Sequence, residues 1–198
     1  YSYSELPVLQ NVNKKFTDKG IHIIYGESGS GKSTAMKILL GLLKPKGGNI
    51  VLDGKNIHSI KNRSDLISFL AQEAVFFDDT LKNNLTLGED IAEEKIFGLM
   101  EKLGLEKFAN TEALNMDFTH IENKFSGGEL KRLSFVRTLL RDTPVVIFDE
   151  PFANIDAQNI ERVEDLILSL DDKKVFIVTH QLNERIKEKA SSLWKIGA

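Results

Sequence analysis

Residues 21–34 of the chain read IHIIY-GESGSGKST. The first five are mostly apolar and β-branched, and they fit a short strand covered on both faces. The next nine are Gly26, Glu27, Ser28, Gly29, Ser30, Gly31, Lys32, Ser33 and Thr34, and they run directly into a helical pattern, KSTAMKILLGLL, over 32–43. Glycines let the backbone curl so that several N–H groups converge on one phosphate group. The start of the following helix adds its partial positive charge.

Strand, glycine-rich loop and helix in this order match the P-loop pattern, so Gly26 to Thr34 are expected to hold the phosphates of a nucleoside triphosphate. Lys32 is expected to reach the β- and γ-phosphates, and the Ser33 hydroxyl to ligate Mg²⁺.

Further short apolar runs follow along the chain: NIVLD (49–53), LISFLA (66–71), PVVIFDE (144–150), KVFIVTH (174–180) and SLWKI (192–196). Their length and low charge predict strands covered on both faces. Between them AEEKIFGLMEKLGL (92–105), GELKRLSFVRTLL (128–140) and NIERVEDLILSL (159–170) space apolar residues three and four apart, as amphipathic helices do. Alternating strands and helices predict an α/β fold with a largely parallel sheet flanked by helices. The glycine-rich KPKGGNIVLDGKNI (44–57) predicts an antiparallel β hairpin beside that sheet. From about 80 to 125 no strand pattern occurs, and together with the helix that follows this predicts an α-helical insertion over about 80–140.

With 198 residues the chain fits one domain, residues 1–198, large enough to bury a substantial core. A net charge of −3 gives no positive field to favour a nucleic-acid backbone, and no nucleic-acid partner is expected. The absence of Cys excludes disulfides and thiolate metal sites. No apolar run approaches the roughly 20 residues needed to span a bilayer, and YSYSELPVL lacks the regions of a signal peptide, so the chain as given reads as soluble. It opens within a polar, aromatic run and stops at LWKIGA, just after a strand-like segment. Neighbouring pieces of a larger protein are expected.

Asp149 and Glu150 close the run VVIF, where an α/β sheet presents groups to a ligand. One carboxylate is placed to hold Mg²⁺, directly or through water, and the next to accept a proton from an attacking water. His180 ends another strand and Gln72 follows a third, so the same sheet edge gathers both. A second stretch, FSGGELKR (125–132), sets a hydroxyl and two glycines ahead of a basic helix, much as a phosphate-binding helix begins.

The order of P-loop, Gln72, FSGGE, VVIFDEP, ANID and VTH resembles that of ATP-binding-cassette (ABC) ATPases. Over nearly its whole length the chain is similar to the nucleotide-binding domain of an ABC transporter. The resemblance implies that Gly26 to Thr34 form the Walker A loop, that Gln72 senses Mg²⁺ and the attacking water, and that Asp149 is the Walker B aspartate. It implies that Glu150 is the catalytic base, His180 the switch histidine and Asp156 the D-loop aspartate, and that Tyr3 stacks on adenine. Ser126, Gly127, Gly128 and Glu129 match the signature, which implies that they complete the ATP site of a second subunit in a head-to-tail dimer. ATP and Mg²⁺ are the implied ligands. A transmembrane domain absent from this chain, holding it at the cytoplasmic face of a membrane, is the other implied partner. Phe125 and Glu129 stand where the commonest signature has Leu and Gln, and ANID departs from the usual D-loop; the Ser, Gly and Asp positions are kept.

EAVFFDDTLKNNLTLGED (73–90) is similar to the corresponding segment of export-type transporters, where the membrane domain docks, which implies interface roles for Phe76 and Phe77. Thr119 to Asn123 keep part of a further export-type segment, with Glu122 the counterpart of its glutamate. A soluble ABC ATPase acting on nucleic acid or ribosomes would show long heptads or a second cassette, and neither is present. A regulatory cassette without turnover would have lost the glutamate or the histidine.

Overall fold

The structure is a computed structural model and describes residues 9–117 and 124–197. Tyr3 and the segment from Thr119 to Asn123 lie outside the described residues. Five parallel strands, β1 (Gly20–Tyr25), β4 (Ile67–Leu70), β5 (Val145–Asp149), β6 (Lys174–Thr179) and β7 (Ser192–Lys195), pair in the order β4-β5-β6-β1-β7. Two short strands, β2 (Val51–Leu52) and β3 (Lys55–Asn56), form a separate antiparallel hairpin. The helices are α1 (Lys32–Leu39), α2 (Leu81–Thr86), α3 (Glu93–Lys102), α4 (Thr111–Leu114), α5 (Gly127–Leu140), α6 (Ala157–Leu168) and α7 (Glu184–Glu188). This is the mixed α/β architecture that the sequence pattern predicts, with a parallel sheet and a small antiparallel one.

Alternation along β5 explains why the sheet needs helices on both sides. Val145 and Ile147 enter one core with Ala35 and Met36 of α1, while Val146 and Phe148 enter another with Leu133, Phe135 and Val136 of α5. Successive strand side chains point to opposite faces, so an unbroken apolar run is stable only where both faces are covered. NIVLD lies in the predicted hairpin, outside the covered sheet, with Val51 60% exposed, whereas SLWKI departs from its prediction as a covered strand and forms the edge strand β7, whose Leu193 is 43% exposed.

Helix α5 also departs from its predicted amphipathic character. Lys131, Arg132, Ser134 and Thr138 are buried along with its apolar residues, because the helix lies between the sheet and helices α2 and α3. Ser134 and Thr138 are satisfied locally, donating to the carbonyls of Leu130 and Ser134 at 3.0 and 2.8 Å. The rings of Phe135 and Phe148 meet at 5.2 Å between centroids, tying this helix to the middle of β5. Phe135→Ala is expected to lower the free energy of unfolding by about 3–5 kcal/mol in urea denaturation, and a loss below about 1 kcal/mol would contradict the placement of this ring in the core.

Candidate nucleotide site

The register of the sheet assembles the site. Tyr25 pairs with Thr179, Asp149 with Val178, and Leu70 with Phe148. Because these strands are parallel, the residues that follow them, Gly26, Glu150, His180 and Gln72, emerge at one edge.

The loop after β1 is held close to the end of β7. A Cβ on Gly26 would lie 2.4 Å from the Ile196 carbonyl oxygen, so any larger residue would push the two apart. Gly31 caps α1 at φ 101°, a backbone region that side-chain-bearing residues rarely adopt. Beyond it the first turn of α1 leaves its N–H groups without intrahelical acceptors. Lys32, 9% exposed, turns back across the loop, and its Nζ donates to the carbonyls of Gly26 and Glu27, each at 2.8 Å. The Ser30 hydroxyl is buried without a hydrogen-bond partner among the described residues. Glu27, Ser28, Gly29 and Ser33 are exposed, whereas Thr34 is buried beneath the helix start. An ammonium, an unpartnered buried hydroxyl and a row of open N–H groups in one glycine-rich loop fit a polyphosphate.

Glu150 occupies a strained position at the end of β5. Its φ is 46°, in the left-handed region, while its N–H still donates to the Val178 carbonyl at 2.9 Å. Such a conformation in a residue with a side chain costs on the order of 1–3 kcal/mol and persists only where the surroundings hold it. Three donors from the end of β6 do so. The Thr179 hydroxyl donates to Glu150 Oε2 at 2.9 Å, and the His180 N–H donates to Oε1 at 2.9 Å. His180 Nδ1 lies 2.7 Å from the same oxygen. An ionised carboxylate only accepts, so this last contact places a proton on Nδ1 and, in the neutral ring, leaves Nε2 as an acceptor. Burial pushes the Asp149 carboxyl above its usual range, and the charge of Glu150 adds to this, against the opposing pull of Lys131 and Lys32. A carboxyl so placed beside a second carboxylate favours an incoming cation.

Ser126 is the N-cap of α5. Its hydroxyl accepts from the Glu129 N–H at 3.2 Å, and the Glu129 carboxylate accepts from the Ser126 N–H at 2.8 Å, a reciprocal capping box. Glu129 is also paired with Lys107. Burial opposes ionisation of Glu129, but Lys107 and the Ser126 N–H and hydroxyl outweigh it and hold the carboxyl below its usual range. Asp156 caps α6 through the Asn159 N–H and accepts from Arg132 Nη1 at 3.1 Å. A Cβ on Gly128 would come 3.2 Å from the Asn154 carbonyl oxygen, so the start of α5 packs closely on the loop ahead of α6. Ser126 and Gly127 themselves are exposed.

The sequence profile described as ABC transporter matches residues 9–153. The chain belongs to the ABC transporter family. It is an ATP-binding, ATPase domain of the kind that family carries. Among its relatives it is 33% identical, over 92% of its length, to the lactococcin-G-processing and transport ATP-binding protein LagD of Lactococcus lactis. It is 34% identical, over 82%, to the glutathione/L-cysteine transport system ATP-binding/permease protein CydC of Escherichia coli. It is 29% identical, over 92%, to an ATP-dependent lipid A-core flippase of Idiomarina loihiensis. It spans 27%, 29% and 33% of those three proteins, respectively. Its fold is similar to a solved bacterial Atm1-family ABC exporter with ATP bound, at a TM-score of 0.77 and 21% identity, over 91% of this chain and 33% of that one.

Within this ABC domain the segment after Gln72 separates its two phenylalanines. Phe77 is 59% exposed, but Phe76 is half-buried against the core beneath the Arg137 guanidinium, 4.7 Å from its ring centroid. Phe76 thus packs against the core, and of the two rings expected at an interface only Phe77 is largely exposed. The buried Asn84 shapes this loop. Its side-chain oxygen accepts from the Phe77 N–H at 2.7 Å, and its Nδ2 donates to the Phe77 carbonyl at 2.9 Å.

Sequence reasoning missed Asn84, Thr179, Lys131 and Arg132. Lys131 and Arg132 stand inside the quoted FSGGELKR, but helical spacing alone does not say that both are buried. Thr179 reads as an ordinary strand residue until the register sets it beside Glu150. Among the described residues no group of three or more His, Cys, Asp or Glu side chains is arranged to hold a metal ion by itself. Mg²⁺ bound together with phosphates needs only one or two protein ligands, and the Ser33 hydroxyl and Asp149 carboxylate are of the required hard-oxygen type. Thr179→Val keeps the strand but removes one donor from Glu150. It is expected to lower the ATPase rate about 10- to 100-fold with nucleotide affinity unchanged, as read by phosphate release beside equilibrium nucleotide binding.

Proposed function

We propose that this domain hydrolyses Mg-ATP as the motor of a membrane transporter working in the export direction. The observation that carries the reading is the clasp of Thr179 and His180 on Glu150, which holds a carboxylate beside the phosphate-binding loop in an otherwise unfavourable backbone conformation. Glu150 serves as the base that polarises an attacking water, and His180 orients that water and the γ-phosphate. Lys32 and the loop N–H groups stabilise charge that grows on the phosphoryl oxygens. Ser33, Asp149 and Gln72 would hold Mg²⁺, which when bound would supply positive charge to neutralise the phosphates. Tyr3 stacks on adenine, a role that rests on sequence resemblance alone.

Ser126 and Gly127, with Gly128 and the capping Glu129 at the helix start behind them, complete the ATP site of a second nucleotide-binding domain. The exposure of Ser126 and Gly127 supports this. Asp156, held by Arg132, reaches across the same interface. Two such domains then close on two ATP molecules and open after hydrolysis, a population shift driven by preferential binding to the closed state.

The remaining partner is a transmembrane domain. Exposed Val75, Phe77 and Leu87, with a shallow hollow of about 350 Å³ between Phe77 and Leu87, support docking there and placement at the cytoplasmic face of a membrane. The relatives' names, which pair ATP binding with a permease or a flippase, support a transport role. That transport role is favoured over a nucleic-acid or ribosome role, and the retained Glu150 and His180 favour turnover over a purely regulatory cassette.

In the full-length protein Glu150→Gln is expected to reduce phosphate release by at least about 100-fold while ATP-dependent dimers accumulate on size exclusion. Turnover at the wild-type rate would remove Glu150 from the role of base. Ser126→Arg is expected to leave ATP binding to the monomer intact while preventing dimers. Loss of monomer binding would show that Ser126 acts within its own subunit.

A further inference from the structure

Lys131 is 2% exposed and lies one turn into α5, just behind the signature. A buried ammonium needs all three of its hydrogens satisfied. Its Nζ donates to the carbonyls of Ala71 at 2.9 Å and Gln72 at 2.8 Å, with a longer contact to the Asp149 carbonyl at 3.4 Å. The Ala71 and Gln72 oxygens lie just beyond the end of β4, and Asp149 is the last residue of β5. One side chain therefore joins three segments: the helix that carries Ser126, the segment that begins with Gln72, and the strand end that carries Asp149 and Glu150. No other side-chain hydrogen bond among the described residues links α5 to the Gln72 backbone.

The geometry points to Lys131 as a positioning residue that sets the place of Gln72 according to the position of the signature helix. This inference rests on the reading of Gln72 and Ser126 given above. When Ser126 engages a nucleotide on the second subunit, α5 shifts with it, and the Lys131 ammonium carries the Gln72 backbone along. The site completed in trans is thereby linked to the site in cis within the same chain. A methionine at this position would fill nearly the same volume without any donor. An arginine would keep charged donors, and a glutamine would keep two neutral ones.

The test is amide hydrogen exchange of the full-length protein without nucleotide, run beside steady-state ATPase measurements on wild type, Lys131→Met, Lys131→Arg and Lys131→Gln. In Lys131→Met, exchange over residues 71–76 is expected to rise at least about tenfold while β5 and β6 stay as protected as in wild type. The kcat is expected to fall about 10- to 100-fold with KM for ATP within about twofold, and Lys131→Arg is expected to restore most of both. Unchanged protection over 71–76 in Lys131→Met overturns the inference, whatever the ATPase rate. So does equal loss in Lys131→Arg and Lys131→Met, which marks a requirement of shape alone. If Lys131→Met does not fold, Lys131→Gln decides: wild-type protection over 71–76 overturns the inference, and partial loss confined to that segment supports it. Wild-type protein that binds no ATP would refute the proposed function, while the exchange comparison would still report on the Lys131 contacts.

Discussion

The parallel pairing of β5 with β6, and of β6 with β1, fixes every other feature of the site. Asp149 faces Val178 and Tyr25 faces Thr179, so Glu150 comes level with the end of β6 and the glycine-rich loop after β1 opens beside it. Successive side chains alternate between faces, and a slip of one residue between β5 and β6 would turn Glu150 away from Thr179 and His180. The register is resistant to such a slip because each face of β5 is buried in a different core, one reaching α1 and the other α5. Core packing and the geometry of the carboxylate are thus one constraint seen at two points along a strand.

Helix caps carry a second share of the design. Ser126 closes the N-terminus of α5 and Asp156 that of α6, and Arg132 joins the second cap to the first helix. Each cap satisfies N–H groups that the helix would otherwise leave open. The same polar atoms sit at the face proposed for a second subunit, and on that proposal a substitution at either position would act on local stability and on assembly together. Measurements of unfolding beside dimer formation separate the two contributions.

The sequence made the main elements legible because their signals are local. A buried strand needs an apolar run, a phosphate loop needs glycine where the chain turns sharply or approaches another backbone, and a packed helix needs apolar residues three and four apart. Where the reading failed, the missing information was a neighbour. SLWKI has the composition of a covered strand but lies at an edge, and GELKRLSFVRTLL has helical spacing but is buried on its polar side as well. Phe76 and Phe77 are identical in type and adjacent in sequence; only the position of Arg137 and the core below assigns one to packing and the other to the surface.

From the residues alone followed the α/β class, the glycine-rich loop between strand and helix, the acidic pair at the end of VVIF and the second glycine-bearing helix start, because each depends on side chains close together in the chain. What Glu150 is held by, what Lys131 joins and which ring Arg137 covers depend on contacts between residues dozens of positions apart. Those contacts exist only after the strands have paired in register and α5 has been buried against them. Chemistry carried by a residue type is written locally, but its orientation comes from packing, which no stretch of sequence contains by itself.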